Sequence, residues 1–192
     1  MHRSDRRFLL KVSLASLLGA SLAHAQQDLR GALRRGGQVI YFRHGATTWS
    51  GVDRIEWPRA RQRLLSDLGI RQSEQIGAAF RSEGFPVGDV LASPFARCRD
   101  MAEIAFGRVE ERMELMGLLS DDNGRAARVA YLRERMTTPP AIGTNRIIVS
   151  HRSNIAQVAG ASLEEGEAVI TRPNGTDFET LAQWMPADWT GA

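Results

Sequence analysis

Two apolar runs in this chain each end in histidine, and that arrangement restricts its fold more tightly than anything else in it. The first, Gln38-Val39-Ile40-Tyr41-Phe42, is closed by Arg43-His44-Gly45. The second, Arg146-Ile147-Ile148-Val149-Ser150, is closed by His151-Arg152-Ser153-Asn154. A short run with an apolar core reads as a strand covered on both faces, as in a parallel sheet flanked by helices. Ligands of such sheets bind beyond the carboxyl ends of the strands. Imidazoles at two of those ends, with arginine beside them, point to phosphate chemistry with histidine as nucleophile.

The remaining pattern supports the same architecture. A short helix is predicted over Asp28–Arg35, broken by Gly36-Gly37, and then the strand Val39–Phe42. Gly45–Arg63 lacks periodicity and is long for a connection, the kind of loop that carries function. A helix opens at Ser66 and runs to Glu83, with Leu68, Ile76, Ala79 and Phe80 as its apolar stripe. Val90–Ala92 reads as a strand, followed by a helix with Ser93 as N-cap, Pro94 in its first turn and its end near Phe106. Arg108–Leu115 is predicted as a strand, Asn123–Met136 as a helix, Ile147–Val149 as a strand, and Ser153 as the start of another helix. Two late strands, Val169–Thr171 and Phe178–Trp184, are joined by the turn Pro173-Asn174-Gly175. Alternation of this kind predicts a three-layer α/β/α sandwich with a largely parallel central sheet.

The first 25 residues read as an export signal. Arg3, Arg6, Arg7 and Lys11 form a basic region, Val12–Ala23 a modest apolar stretch, and Ala23-His24-Ala25 a small-x-small cleavage site. Asp5-Arg6-Arg7-Phe8-Leu9-Leu10-Lys11 also resembles a twin-arginine signal, with general secretion the alternative. The expected product is a single domain over residues 26–192, periplasmic or secreted, with no stable membrane span after processing. Four of the 25 basic residues and one of the 22 acidic ones leave with the signal, so 21 of each remain. A formally neutral domain gives no electrostatic case for nucleic-acid binding. Cys98, the only cysteine, allows no intrachain disulfide and reads as a buried side chain.

Four segments then carry a specific resemblance. Arg43-His44-Gly45-Ala46-Thr47, Leu65-Ser66-Asp67-Leu68-Gly69-Ile70-Arg71-Gln72, Ser93-Pro94-Phe95-Ala96-Arg97 and Ser150-His151 with Asn154 resemble, in order, the motifs of the histidine phosphatase superfamily, the phosphoglycerate-mutase-like fold. The resemblance spans residues 38 to about 160. It implies a metal-independent phosphomonoesterase that needs no cofactor and takes a small phosphorylated substrate. His44 is then the nucleophile that forms a phosphohistidine. Arg43, Arg97 and Thr47 bind the phosphate, and His151 donates to it. A zinc site built on His44 and His151 would lack ligands, since catalytic zinc wants three and structural zinc four.

Several positions depart from the family pattern. Ala46 stands where glutamate is common, Ser50 where asparagine is, and Met101 where threonine is. Arg152 stands where the acid-phosphatase branch carries its proton-donating aspartate. Glu167 is the preferred general acid, because Gly166-Glu167-Ala168 followed by Arg172-Pro173 resembles exported bacterial members; Glu114 and Asp53 are its rivals. Specificity is expected from Thr48–Arg63 and Ser120–Arg128. An exported sugar phosphate or glycolipid phosphate is the expected substrate. A protein phosphohistidine phosphatase, or a phosphate-binding protein without turnover, is the alternative.

Overall fold

A computed structural model describes residues 27–119 and 123–190. The predicted signal over residues 1–25 and the stretch 120–122 lie outside these described residues. A helix over 27–35 (α1) leads into strand β1, Val39–Arg43. Helix α2 spans Asp67–Glu83, strand β2 Val87–Ala92, helix α3 Ala96–Phe106, and the two-residue strand β3 Glu110–Glu111. Helix α4 spans Arg125–Thr137, β4 Asn145–Ser150, α5 Arg152–Ala159, β5 Ala168–Pro173 and β6 Phe178–Trp184.

The six strands form one sheet in the order β3-β2-β4-β1-β5-β6. The first four are mutually parallel, and β5 and β6 add an antiparallel edge. Side chains of β1 alternate between the faces despite the unbroken apolar run. Ile40 and Phe42 pack with Ile76 and Phe80 of α2 and Met101 and Ala102 of α3. Val39 and Tyr41 pack with Leu132 and Met136 of α4 and Ile155 of α5. The predicted α/β/α sandwich is therefore the observed one. Removing both faces from water is what makes a strand with no polar positions favourable, at roughly 25 cal/mol per Å² of apolar surface.

Two local predictions need correction. Arg108–Leu115 is not one strand: only Glu110–Glu111 pairs, and Met113–Leu115 forms a 3₁₀ turn. Its alternation is broken by Glu111, which stands at an apolar position, and the chain must turn inward to bury Leu115. Ser93 is not the cap of α3; that helix begins at Ala96 with Phe95 at its N-cap. Ser66, by contrast, caps α2 by accepting a hydrogen bond from the Gly69 N–H at 3.3 Å.

Candidate active site

Strand register brings the two histidines together. β1 and β4 are parallel neighbours, with Arg43 opposite Ser150. The next residues out are His44 and His151, and the His44 N–H donates to the Ser150 carbonyl at 3.0 Å. Their rings lie 5.6 Å apart at 67°. Both are buried.

Hydrogen bonds assign the proton on each ring. The Gly45 carbonyl can only accept, so His44 Nδ1, 2.9 Å away, carries the hydrogen. Nε2 of His44 is left with a lone pair. Burial, then the nearby Arg97 charge, pushes the His44 pKa well below its usual value. The ring is thus a neutral base near pH 7. Arg97 donates to His151 Nδ1 at 3.3 Å, so Nε2 carries that ring's hydrogen and points it at Ser93 Oγ, 2.8 Å away. Burial and then Arg97 likewise hold His151 well below the usual histidine range. The Ser93 hydroxyl can rotate from acceptor to donor, which lets His151 move its hydrogen to Nδ1 when an anion arrives.

Tyr41 fixes His151 from beneath. Its hydroxyl donates to the His151 carbonyl at 2.8 Å and accepts from the His151 N–H at 3.0 Å. Burial drives the phenol pKa far upward, so the hydroxyl stays available as a donor. Gly45 and Gly69 let α2 approach the loop after β1. A Cβ on Gly69 would lie 2.2 Å from the Ala46 carbonyl oxygen, and one on Gly45 3.0 Å from the Gly69 oxygen. Gln72 then ties the loop down: its Oε1 accepts from Ala46 N at 2.9 Å, and its Nε2 donates to the Glu165 carbonyl at 3.2 Å.

The histidines open onto a cleft of about 220 Å³. Arg43, Arg63, Arg97 and Arg152 reach it, together with Asp53, Ser153 and the exposed side chains Val52 and Leu119. Its floor includes the first residues of α5, whose leading N–H groups lack intrahelical acceptors, an arrangement suited to anions. Arg97 is held between Asp53 (2.8 and 3.0 Å) and His151, with its guanidinium 4.5 Å from the Phe95 ring centroid. Nε of Arg97 and Nε of Arg43 are buried without a hydrogen-bond partner. Among the described residues no three histidine, cysteine, aspartate or glutamate side chains converge as a metal-binding group.

A model of the histidine phosphatase superfamily, branch 1, matches residues 39–143. The chain belongs to this superfamily. The match includes His44 and Arg97 but ends before His151, which the strand register supplies. Solved structures of the same fold include the protein histidine phosphatase SixA complexed with tungstate, at 15% identity and a TM-score of 0.56, covering 80% of this chain and 99% of that one. A phosphoserine phosphatase mutant from Entamoeba histolytica has 12% identity and a TM-score of 0.56, with coverage of 79% and 98%. A putative α-ribazole-5′-phosphate phosphatase from Escherichia coli has 17% identity and a TM-score of 0.54, with coverage of 76% and 95%. At these identities the likeness is one of fold. No curated protein sequence matches significantly.

Within this histidine phosphatase fold, His44, His151, Arg43 and Arg97 meet at one cleft. Two other predicted site residues do not line it. The Glu167 carboxylate accepts from the Glu164 N–H at 2.6 Å and so closes its own turn, while its backbone carbonyl accepts from Arg43 N. Thr47 sits behind the cleft: its hydroxyl accepts from Arg63 at 2.6 Å and lies 3.2 Å from Glu165. Glu114 is exposed and lines a separate depression with Tyr131 and Arg135. Asp53, a rival for the acid, does line the cleft.

Tyr41, Arg63 and Glu165 carry no signal in the sequence, and Ser93 reads there as a helix cap rather than as a histidine's partner. Tyr41 is hidden in an apolar run, and Ser93 in a helix-start pattern. Arg63 donates to the Trp49 and Gly51 carbonyls and to Glu165, holding the loop after β1 over the site. Glu165 also faces Arg43 at 3.4 Å. Cys98 is buried as expected, and burial raises its thiol pKa to about 12, which removes it as a nucleophile.

Proposed function

We propose that this protein is a phosphomonoesterase working through a phosphohistidine on His44, with no metal in the reaction. The observation that carries this reading is the neutral His44 ring, with its Nδ1 hydrogen held by Gly45 and its Nε2 lone pair free, in a cleft shared with His151 and Arg97. His44 Nε2 bonds to phosphorus as the bond from phosphorus to the leaving oxygen breaks. Water then attacks phosphorus and the Nε2 electron pair returns to the ring. The three equatorial oxygens carry the charge, so positioned donors supply most of the catalysis. Arg43, Arg97 and the start of α5 serve as those donors. His151 joins them once an incoming dianion favours a hydrogen on Nδ1.

The reading includes export by the segment 1–25 and action in the periplasm or outside the cell. The substrate is a small phosphoester. Val52 and Leu119, 63% and 76% exposed at the cleft mouth, favour a leaving group with an apolar part, and Arg152 beside them favours one with an acidic part. A glycolipid phosphate meets both conditions. The second reading is a protein phosphohistidine phosphatase, favoured by the open cleft mouth and by Arg152 in place of the aspartate of the acid-phosphatase branch.

The test is hydrolysis of p-nitrophenyl phosphate by the purified protein with and without chelator, beside His44→Ala. Activity that survives chelator and is lost in H44A, with an acid-labile phosphoenzyme in the unsubstituted protein, supports the reading. Activity abolished by chelator, or retained by H44A, rejects it. Phosphate binding without turnover of any ester identifies a binding protein.

A further inference from the structure

We propose that Asp53 donates and later accepts the proton of this reaction, and that Arg97 keeps it unavailable until a phosphate takes that arginine. The inference rests on the phosphohistidine reading above and assigns the acid that reading leaves open. Asp53 is the only carboxylate among the described residues lining the cleft. It is 2% exposed, and its side chain is held by Arg97 and by the Arg63 N–H at 2.9 Å. One nitrogen of the Arg97 guanidinium faces Asp53 and the other faces His151. The acid and the phosphate-side histidine thus share one arginine.

A buried carboxylate tolerates its charge only while that charge is compensated. When a phosphate dianion draws on Arg97, Asp53 loses part of that compensation and gains a negative neighbour. With a proton on it, Asp53 needs no such compensation. Among the described residues, the other charged or titratable groups lining the cleft are Arg63 before α2, Arg43 and His44 at the end of β1, and His151 and Arg152 at the start of α5, with Glu165 paired to Arg43 and Arg63 but not lining the cleft. None of these lining groups is a carboxylate able to replace Asp53 as donor. The steps then balance. As the His44 Nε2–phosphorus bond forms, the phosphorus–oxygen bond breaks. The leaving oxygen keeps that electron pair and takes the Asp53 proton. In the second step water bonds to phosphorus and gives its proton to the Asp53 carboxylate, while the nitrogen–phosphorus bond breaks back to His44.

The test is how rate depends on the leaving group. For the unsubstituted protein, kcat/KM over a series of aryl phosphates and one alkyl phosphate should vary little with leaving-group pKa, because the departing oxygen is protonated. Asp53→Asn keeps an acceptor for Arg97 but has no proton to give. It should lose roughly 10²–10⁴-fold on the alkyl ester and much less on p-nitrophenyl phosphate. Equal losses on both esters would mean that Asp53 serves only to position Arg97, and would overturn the proposal. A steep leaving-group dependence in the unsubstituted protein would overturn it even if D53N does not fold. A ratio change in E167Q in place of D53N would do the same. If the unsubstituted protein hydrolyses no ester, the phosphohistidine reading itself fails, a result distinct from all of these.

Discussion

Replacing Tyr41 with phenylalanine removes one oxygen and tests how His151 is held. The ring packs among Leu132, Met136 and Ile155, and phenylalanine keeps that packing. What is lost is the pair of hydrogen bonds to the His151 N–H and carbonyl. The His151 N–H would be left without a partner, at roughly 1–3 kcal/mol, whereas the His151 carbonyl still accepts from the Asn154 N–H at 3.2 Å. For a domain of this size that corresponds to a drop in Tm of roughly 2–12 °C. Had the hydroxyl no such partners, its removal from an apolar site would be neutral or stabilising, so the sign alone discriminates. Thermal melts of both proteins, followed by kcat/KM on p-nitrophenyl phosphate, measure the two consequences. The loosened His151 should lower kcat/KM about tenfold, since a phosphate donor displaced by less than an ångström loses much of its effect. A Tm within 2 °C of the original, with kcat/KM intact, would refute the claim that this phenol holds the site.

Two further outcomes follow from the geometry. His44 and His151 are held neutral in the folded state while the unfolded chain titrates them near pH 6.5, so below that pH the unfolded chain binds protons that the folded chain does not. Their stability contribution is complete above about pH 6.5 and falls as pH drops, by at most about 1.4 kcal/mol per pH unit for each ring; urea unfolding at pH 7.5, 6.5 and 5.5 that gives a flat or rising profile on acidification would contradict this. Gly69→Ala sets a helix-propensity gain of about 1 kcal/mol against a Cβ placed 2.2 Å from the Ala46 oxygen. The clash involves backbone on both sides and should win, costing about 1–3 kcal/mol and displacing His44, so a G69A protein with unchanged or raised Tm and full activity would show that the α2 contact is slack.

Much of the architecture was legible in the chain. The apolar cores Val39–Phe42 and Ile147–Val149 marked β1 and β4, although β4 also buries Asn145, Arg146 and Ser150, and the histidines closing them marked the cleft. Gly69 and Gln72 were readable only as part of a family resemblance, and Ser66 also as a helix start; the structure shows what they do, a close approach to Ala46, a tether to Ala46 and Glu165, and a cap. The strand over 108–115 was misread because pairing at a sheet edge leaves little mark on composition.

What local pattern could not carry was the partner of each polar group. Asp53 and Arg97 are 44 residues apart, and Tyr41 and His151 are 110 apart. Ser93 has the residue type of a helix cap and is instead turned toward an imidazole contributed by a distant strand. On paper Glu167 is preferred over Asp53 as the acid, yet its carboxylate closes a turn while Asp53 lines the cleft. Sequence alone determined the buried strands and most of the helices, and which faces must be dry, because burial acts on every residue of a run. Only the tertiary fold decided which carboxylate stands beside Arg97, because a hydrogen bond depends on where two side chains end up and leaves no periodic trace in either.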